Sequence, residues 1–250
     1  MKLFLAVVIF FGILDADAFP ENVRHGYFSC TACHMSPSGG GVLTPYGRSL
    51  SNELMSTWGS TKNSDFLFSS PEDESKIQWL RQQIFLRGVQ TYRNTPKVEK
   101  AKLVPMQADY EIGVDFEKFA FVSTFGFRSN DSSQDLKEFF SRRHFALYRF
   151  TDQVVGRIGK FMQALGLNGP DHVTATRRGL GWDQGSESYN LEMNYIGESF
   201  NHTVTLISNS PQERSVKKDQ GISVNSSYFW KNKSRFGLSA YQGRQSDYDR

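Results

Sequence analysis

The sequence predicts a mainly β protein, an antiparallel membrane β-barrel or partial barrel, preceded by a small N-terminal segment of helix and loop. Three observations carry this. Short runs over residues 76–250 alternate apolar with polar side chains, the period of a strand with two unlike faces. Aromatic residues make up 14% of the 250-residue chain and concentrate in those runs. The connections between the runs alternate short and long, the plan of an outer-membrane barrel.

At the N-terminus, Lys2 is followed by the apolar run Leu3 to Leu14 and the small-residue site Ala16-Asp17-Ala18. This is the pattern of a secretory signal over residues 1–18, cleaved before Phe19 and too short to cross a membrane as a helix. Its removal takes away one positive and two negative charges, so the net charge rises from +3 to +4. So small an excess points to no polyanionic partner such as nucleic acid.

The next segment, residues 19–59, holds the only two cysteines of the chain, in Cys30-Thr31-Ala32-Cys33-His34. This Cys-x-x-Cys-His order is the attachment signature of a c-type haem, with two thiols for the vinyl groups and the adjacent histidine as proximal iron ligand. Alternatives remain open. A redox Cys-x-x-Cys pair would call for a βαβ setting that this sequence lacks, and zinc would call for two further ligands from His25 and His34. A plain disulfide is the simplest alternative.

Pro37 and Gly39-Gly40-Gly41 permit a sharp turn and close backbone approach to a flat ligand. Thr44 reads as an N-cap, Pro45 as the first helical residue and Gly59 as the stop, with Tyr46, Leu50, Leu54 and Trp58 on one stripe. That helix would wall the haem. Met55 on the helix and His25 upstream are candidate distal ligands, whereas Met35 adjoins the proximal histidine and cannot easily reach the opposite side. A five-coordinate iron is the other option. Residues 60–75 then turn polar and read as a linker.

The barrel region reads as nine strands, at 82–93, 106–116, 119–128, 139–149, 153–162, 189–196, 200–208, 220–230 and 234–242. The clearest places Met106, Ala108, Tyr110, Ile112, Val114 and Phe116 against Gln107, Asp109, Glu111, Gly113 and Asp115. Connections 94–105, 129–138, 163–188 and 209–219 are long, while 117–118, 150–152, 197–199 and 231–233 are short. The mean hydropathy of −0.48 is no objection, because only alternate residues would face lipid. Nine is odd where bacterial barrels use even numbers, so truncation or a miscount is expected. The longest connection, with Gly169, Arg177, Arg178 and Gly179, is a candidate for folding into a lumen.

Residues 26–58 thus resemble the haem segment of c-type cytochromes through Cys30, Cys33 and His34, and residues 76–250 look like part of a porin-type barrel. The combination is similar to bacterial outer-membrane proteins with a haem-bearing N-terminus joined to a barrel. That resemblance implies one covalent haem c, electron transfer at the periplasmic side of the outer membrane, and redox proteins of the periplasm or outer membrane as partners. It implies an electron carrier rather than a catalyst. A passive porin with a structural Cys-x-x-Cys-His segment and a soluble periplasmic haem sensor are the competing readings.

Overall fold

The computed structural model describes residues 30–50, 79–95, 98–129, 136–166, 187–208, 219–230, 234–245 and 248–249. The expected signal sequence over 1–18, the expected linker over 60–75, His25, Met55 and Arg177-Arg178 lie outside them. Two short helices, α1 (Cys30–Cys33) and α2 (Pro45–Leu50), precede ten strands. These are β1 (Leu80–Thr95), β2 (Val98–Asp115), β3 (Phe119–Ser129), β4 (Leu136–Arg149), β5 (Val154–Phe161), β6 (Ser188–Ile196), β7 (Phe200–Ser208), β8 (Asp219–Trp230), β9 (Ser234–Gln245) and β10 (Tyr248–Asp249).

Each strand pairs antiparallel with the next, giving one meander in the order β1 to β10. Among the described residues β1 pairs only with β2 and β10 only with β9, so this sheet is open rather than a closed barrel. No described helix is long and apolar enough to cross a membrane.

Two expectations are corrected. Among the described residues there are ten strands rather than nine, the additional one being Tyr248–Asp249, which pairs antiparallel with Arg244 and Gln245. The connection expected over 94–105 is mostly strand: β1 and β2 stay paired out to Thr95 and Val98, leaving 96–97 between them. This hairpin runs past its neighbour, since β3 begins pairing with β2 only at Ala108.

The period-2 pattern sorts the side chains, and the sorting is inverted relative to a water-soluble sheet. Glu111, Arg157 and Glu192 are buried, as are Asp109, Asn190, Asn194 and Thr205. Tyr110, Phe121, Ile158, Leu191, Val224 and Leu238 on the other face are exposed. Register keeps each set on its own face: Leu191 lies opposite Ile158 and Leu206, while Glu192 lies opposite Arg157 and Thr205.

The polar inner face has one apolar patch. Ala120, Val122, Phe145, Leu147, Val155 and Phe161 form a cluster with Met35 and Val42 of the N-terminal segment. Gly113 lacks a side chain where Met35 Sδ and Val42 Cγ2 would lie about 3 Å from a Cβ, so β2 leaves them room. Full burial of these two side chains contributes roughly 3–6 kcal/mol to seating the segment, as an upper bound.

Candidate functional site

The candidate site begins with a single helical turn. His34 N–H donates to Cys30 O at 2.8 Å, so Cys30, Cys33 and His34 share one turn and the two thiols fall on one side of it. Both cysteines are free thiols. After His34 the chain doubles back: Gly39 N–H donates to Ser36 O, Met35 N–H to Val42 O, and His34 pairs with Leu43 as an isolated bridge. Gly39, Gly40 and Gly41 have φ of 81°, 72° and 74°, the left-handed region where a Cβ is costly. The predicted triple-glycine turn is therefore present, but Gly41 makes its close approach to the Glu111 carboxylate, which a Cβ would overlap.

Thr44 caps α2 as expected. Its hydroxyl accepts from Gly47 N–H at 3.1 Å and donates to Ala32 O at 2.7 Å, and its N–H donates to Cys33 O at 3.0 Å. One residue thus starts α2 and ties it to α1. Gly47 is pressed so closely on the Cys33 backbone that a Cβ would overlap it. Tyr46, expected on the haem-facing stripe, is instead 52% exposed, because the packed position of α2 is Gly47.

Two charged residues hold the hairpin on the sheet. Glu111 accepts Val42 N–H at 2.5 Å and Arg143 Nη2 at 2.5 Å, and the Thr124 hydroxyl donates to it as well. Arg157 donates to Ser36 Oγ at 2.9 Å, Ser38 Oγ at 3.3 Å and Glu192 Oε1 at 2.7 Å, with its guanidinium 3.7 Å from the Phe161 ring centre. At the segment's ends, Arg48 reaches the Gln82 carbonyl of β1 and Arg235 of β9 reaches the Cys30 thiol. Contacts with β1, β2, β5 and β9 mean that the sheet curls around the segment. These contacts lie near the short connections 116–118 and 150–153, which places the segment at that end.

Burial raises the Cys30 thiol above its ordinary range against the opposing pull of Arg235, and raises Cys33 with help from neighbouring Cys30. Burial lowers His34, opposed by a hydrogen bond with the Gly41 backbone and by Glu111. The imidazole is thus neutral at pH 7, the form that ligates metals. Its Nδ1 is buried with no hydrogen-bond partner among the described residues. Two free thiols on one turn, followed directly by a neutral imidazole, fit a c-type haem: Cys30 and Cys33 would hold it covalently and His34 would ligate its iron. Among the described residues Cys30, Cys33 and His34 do not converge as a three-ligand metal group, and His25, the other ligand zinc would call for, lies outside those residues. Met35 is 3% exposed and committed to the apolar patch.

A second element enters the same face. Beyond β5, Gly166 donates to Ser239 Oγ at 2.9 Å and accepts from Asn225 Nδ2 at 3.3 Å, so the start of the longest connection crosses to β8 and β9. Sequence reasoning missed Glu111 and Arg157 as anchors. The available signal was opposite charge at facing positions, Arg157 against Glu192. No protein-family model, no curated protein and no solved structure matches this chain.

Proposed function

We propose that this chain is an electron carrier with one covalent haem c, seated at one mouth of an outer-membrane β-barrel wall. The observation that carries the reading is the placement of Cys30, Cys33 and His34 on the buried polar face of a sheet whose opposite face is apolar and exposed. Water would penalise that outer face, whereas lipid would not. Around the short-connection end the outward side chains are largely aromatic, with Trp79 stacked on Phe116 and with contacts Tyr148–Phe150, Phe200–Tyr228 and Trp230–Phe236. Such a belt suits a membrane interface, where rings sit between lipid and water. The nine residues of β6 or β7 span ~30 Å at ~3.3 Å each, or roughly 23 Å across a bilayer at a tilt of about 40°, near the ~25 Å band of such barrels.

In this reading the thiols of Cys30 and Cys33 tether the haem, His34 holds its iron, and Glu111 and Arg157 fix the segment against the wall. The haem supplies one-electron redox chemistry. The hydrocarbon core is ~30 Å thick, so a single centre at one mouth passes electrons to and from a separate redox protein. The short-connection end is the periplasmic end by the usual orientation of these barrels.

The test is haem staining of the denatured protein from separated membrane and soluble fractions, expressed in a host competent in cytochrome c maturation. Stain should remain with the wild type in the outer-membrane fraction and be lost or strongly reduced in Cys33→Ala. Unstained wild-type protein defeats the haem, and recovery in the soluble fraction defeats the barrel.

A further inference from the structure

We propose that Glu111 and Arg143 are positioning residues for the His34 imidazole, and that their charges move the reduction potential at His34 in opposite directions. The inference rests on the haem reading above. Glu111 is almost fully enclosed, its side chain 1% exposed, with Arg143 Nη2 2.5 Å from its carboxylate. The same carboxylate takes the Val42 N–H, and Val42 O takes the Met35 N–H at 3.1 Å. Leu43, the next residue, is bridge-paired with His34. From Glu111 to the peptide that joins His34 to Met35 there are two hydrogen bonds, and Gly41 carries no side chain to push them apart.

Charges enclosed on this face are weakly screened. Taking up one electron lowers the charge at the iron by one unit, so a nearby carboxylate favours the oxidised state and a nearby guanidinium the reduced state. Removing the carboxylate charge therefore raises the potential, and removing the guanidinium lowers it. A purely structural role predicts something else: loosening the segment from either side lets in water and shifts both variants the same way.

The experiment is a mediated potentiometric titration of the detergent-solubilised holoprotein, with dithionite as electron donor, for wild type, Glu111→Gln and Arg143→Gln. The expected result is an upward shift for Glu111→Gln, which keeps an acceptor for Val42 N–H, and a downward shift for Arg143→Gln. Shifts of the same sign, or none, overturn the proposal. Should Arg143→Gln fail to accumulate, the sign for Glu111→Gln decides, because admitted water stabilises the more highly charged oxidised iron and would lower the potential; should Glu111→Gln fail, Glu111→Leu takes its place with the same upward shift expected. A readout independent of haem is hydrogen exchange over residues 35–43, which should accelerate in Glu111→Leu and stay near wild type in Glu111→Gln; equal protection in both overturns the positioning role. Wild-type protein lacking covalent haem would defeat the functional reading, and the exchange result would still judge the positioning.

Discussion

Replacing Arg157 by Met removes the guanidinium that ties the N-terminal segment to β5. The chief cost is what remains behind: Glu192, whose side chain is 0% exposed, keeps only Asn194 Nδ2 and Thr205 Oγ1 as neutral donors, each at 3.0 Å. Breaking a buried ion pair from one side costs about 3–5 kcal/mol, and the two remaining donors favour the lower end. Lost bonds to Ser36 and Ser38 add roughly 1 kcal/mol, and the lost stacking on Phe161 a similar amount, so the total is about 5 kcal/mol. Urea unfolding in detergent micelles, followed by tryptophan fluorescence, measures it. The double variant Arg157→Met with Glu192→Gln removes both charges while leaving an acceptor for Asn194 and Thr205, and should recover at least half of the loss. A double variant no more stable than Arg157→Met would refute the reasoning, because the orphaned carboxylate would then not be the source of the cost.

Three further outcomes are expected. Leu191→Arg places a charge mid-strand on the outward face and should cost about 2–4 kcal/mol for folding into lipid vesicles, against about 0–1 kcal/mol for Phe200→Arg at the strand end; equal costs would speak against a membrane-facing surface. Gly41→Ala should lower the urea midpoint more than Gly40→Ala, since both positions have positive φ but only Gly41 would also overlap Glu111, and equal midpoints would contradict that contact. If Met55 is the distal ligand, Met55→Ala removes the methionine charge-transfer band of the oxidised protein and lowers the potential while His25→Ala changes little; unchanged spectra in both discard both ligands.

Much of the sheet was legible because two unlike faces force a period of two. The run 200–208 matches β7 residue for residue, and 189–196 differs from β6 only at Ser188. The run 82–93 falls within β1, but the outer part of β2 was not legible. The stretch 98–105 pairs with β1 alone and is rich in lysine, so no second neighbour imposes the alternation that marks 106–116. A strand of two residues, Tyr248–Asp249, is too short to show any period. At the site, Thr44 and Pro45 announced α2 through capping chemistry, which is local. Tyr46 misled because a helical stripe shows which residues share a side, not which side the neighbouring backbone presses upon. Glu111 and Arg157 went unseen because their role depends on register and on contacts 69 and 121 residues away in the chain.

The composition of the docked hairpin follows from the face it meets. Residues 35–47 contain no charged side chain, although they lie against Glu111, Arg143 and Arg157. Each of those charges already has an opposite partner on the sheet, Glu111 of β2 with Arg143 two strands away on β4 and Arg157 of β5 with Glu192 of the adjacent β6. A charged residue in the hairpin would therefore be buried without a counter-ion, at a cost of several kcal/mol. A neutral hairpin can instead offer single donors and acceptors, which is what Val42 N–H, Ser36 Oγ and Ser38 Oγ do. The two anchors fall on either side of the triple glycine, the part of the hairpin with the greatest backbone freedom. Tethering both ends removes much of that freedom, so the rigidity of the Cys-x-x-Cys-His turn comes from the sheet rather than from α1, which is only four residues long. Disturbing the inner-face ion pairs should therefore be felt at His34 before any strand comes apart.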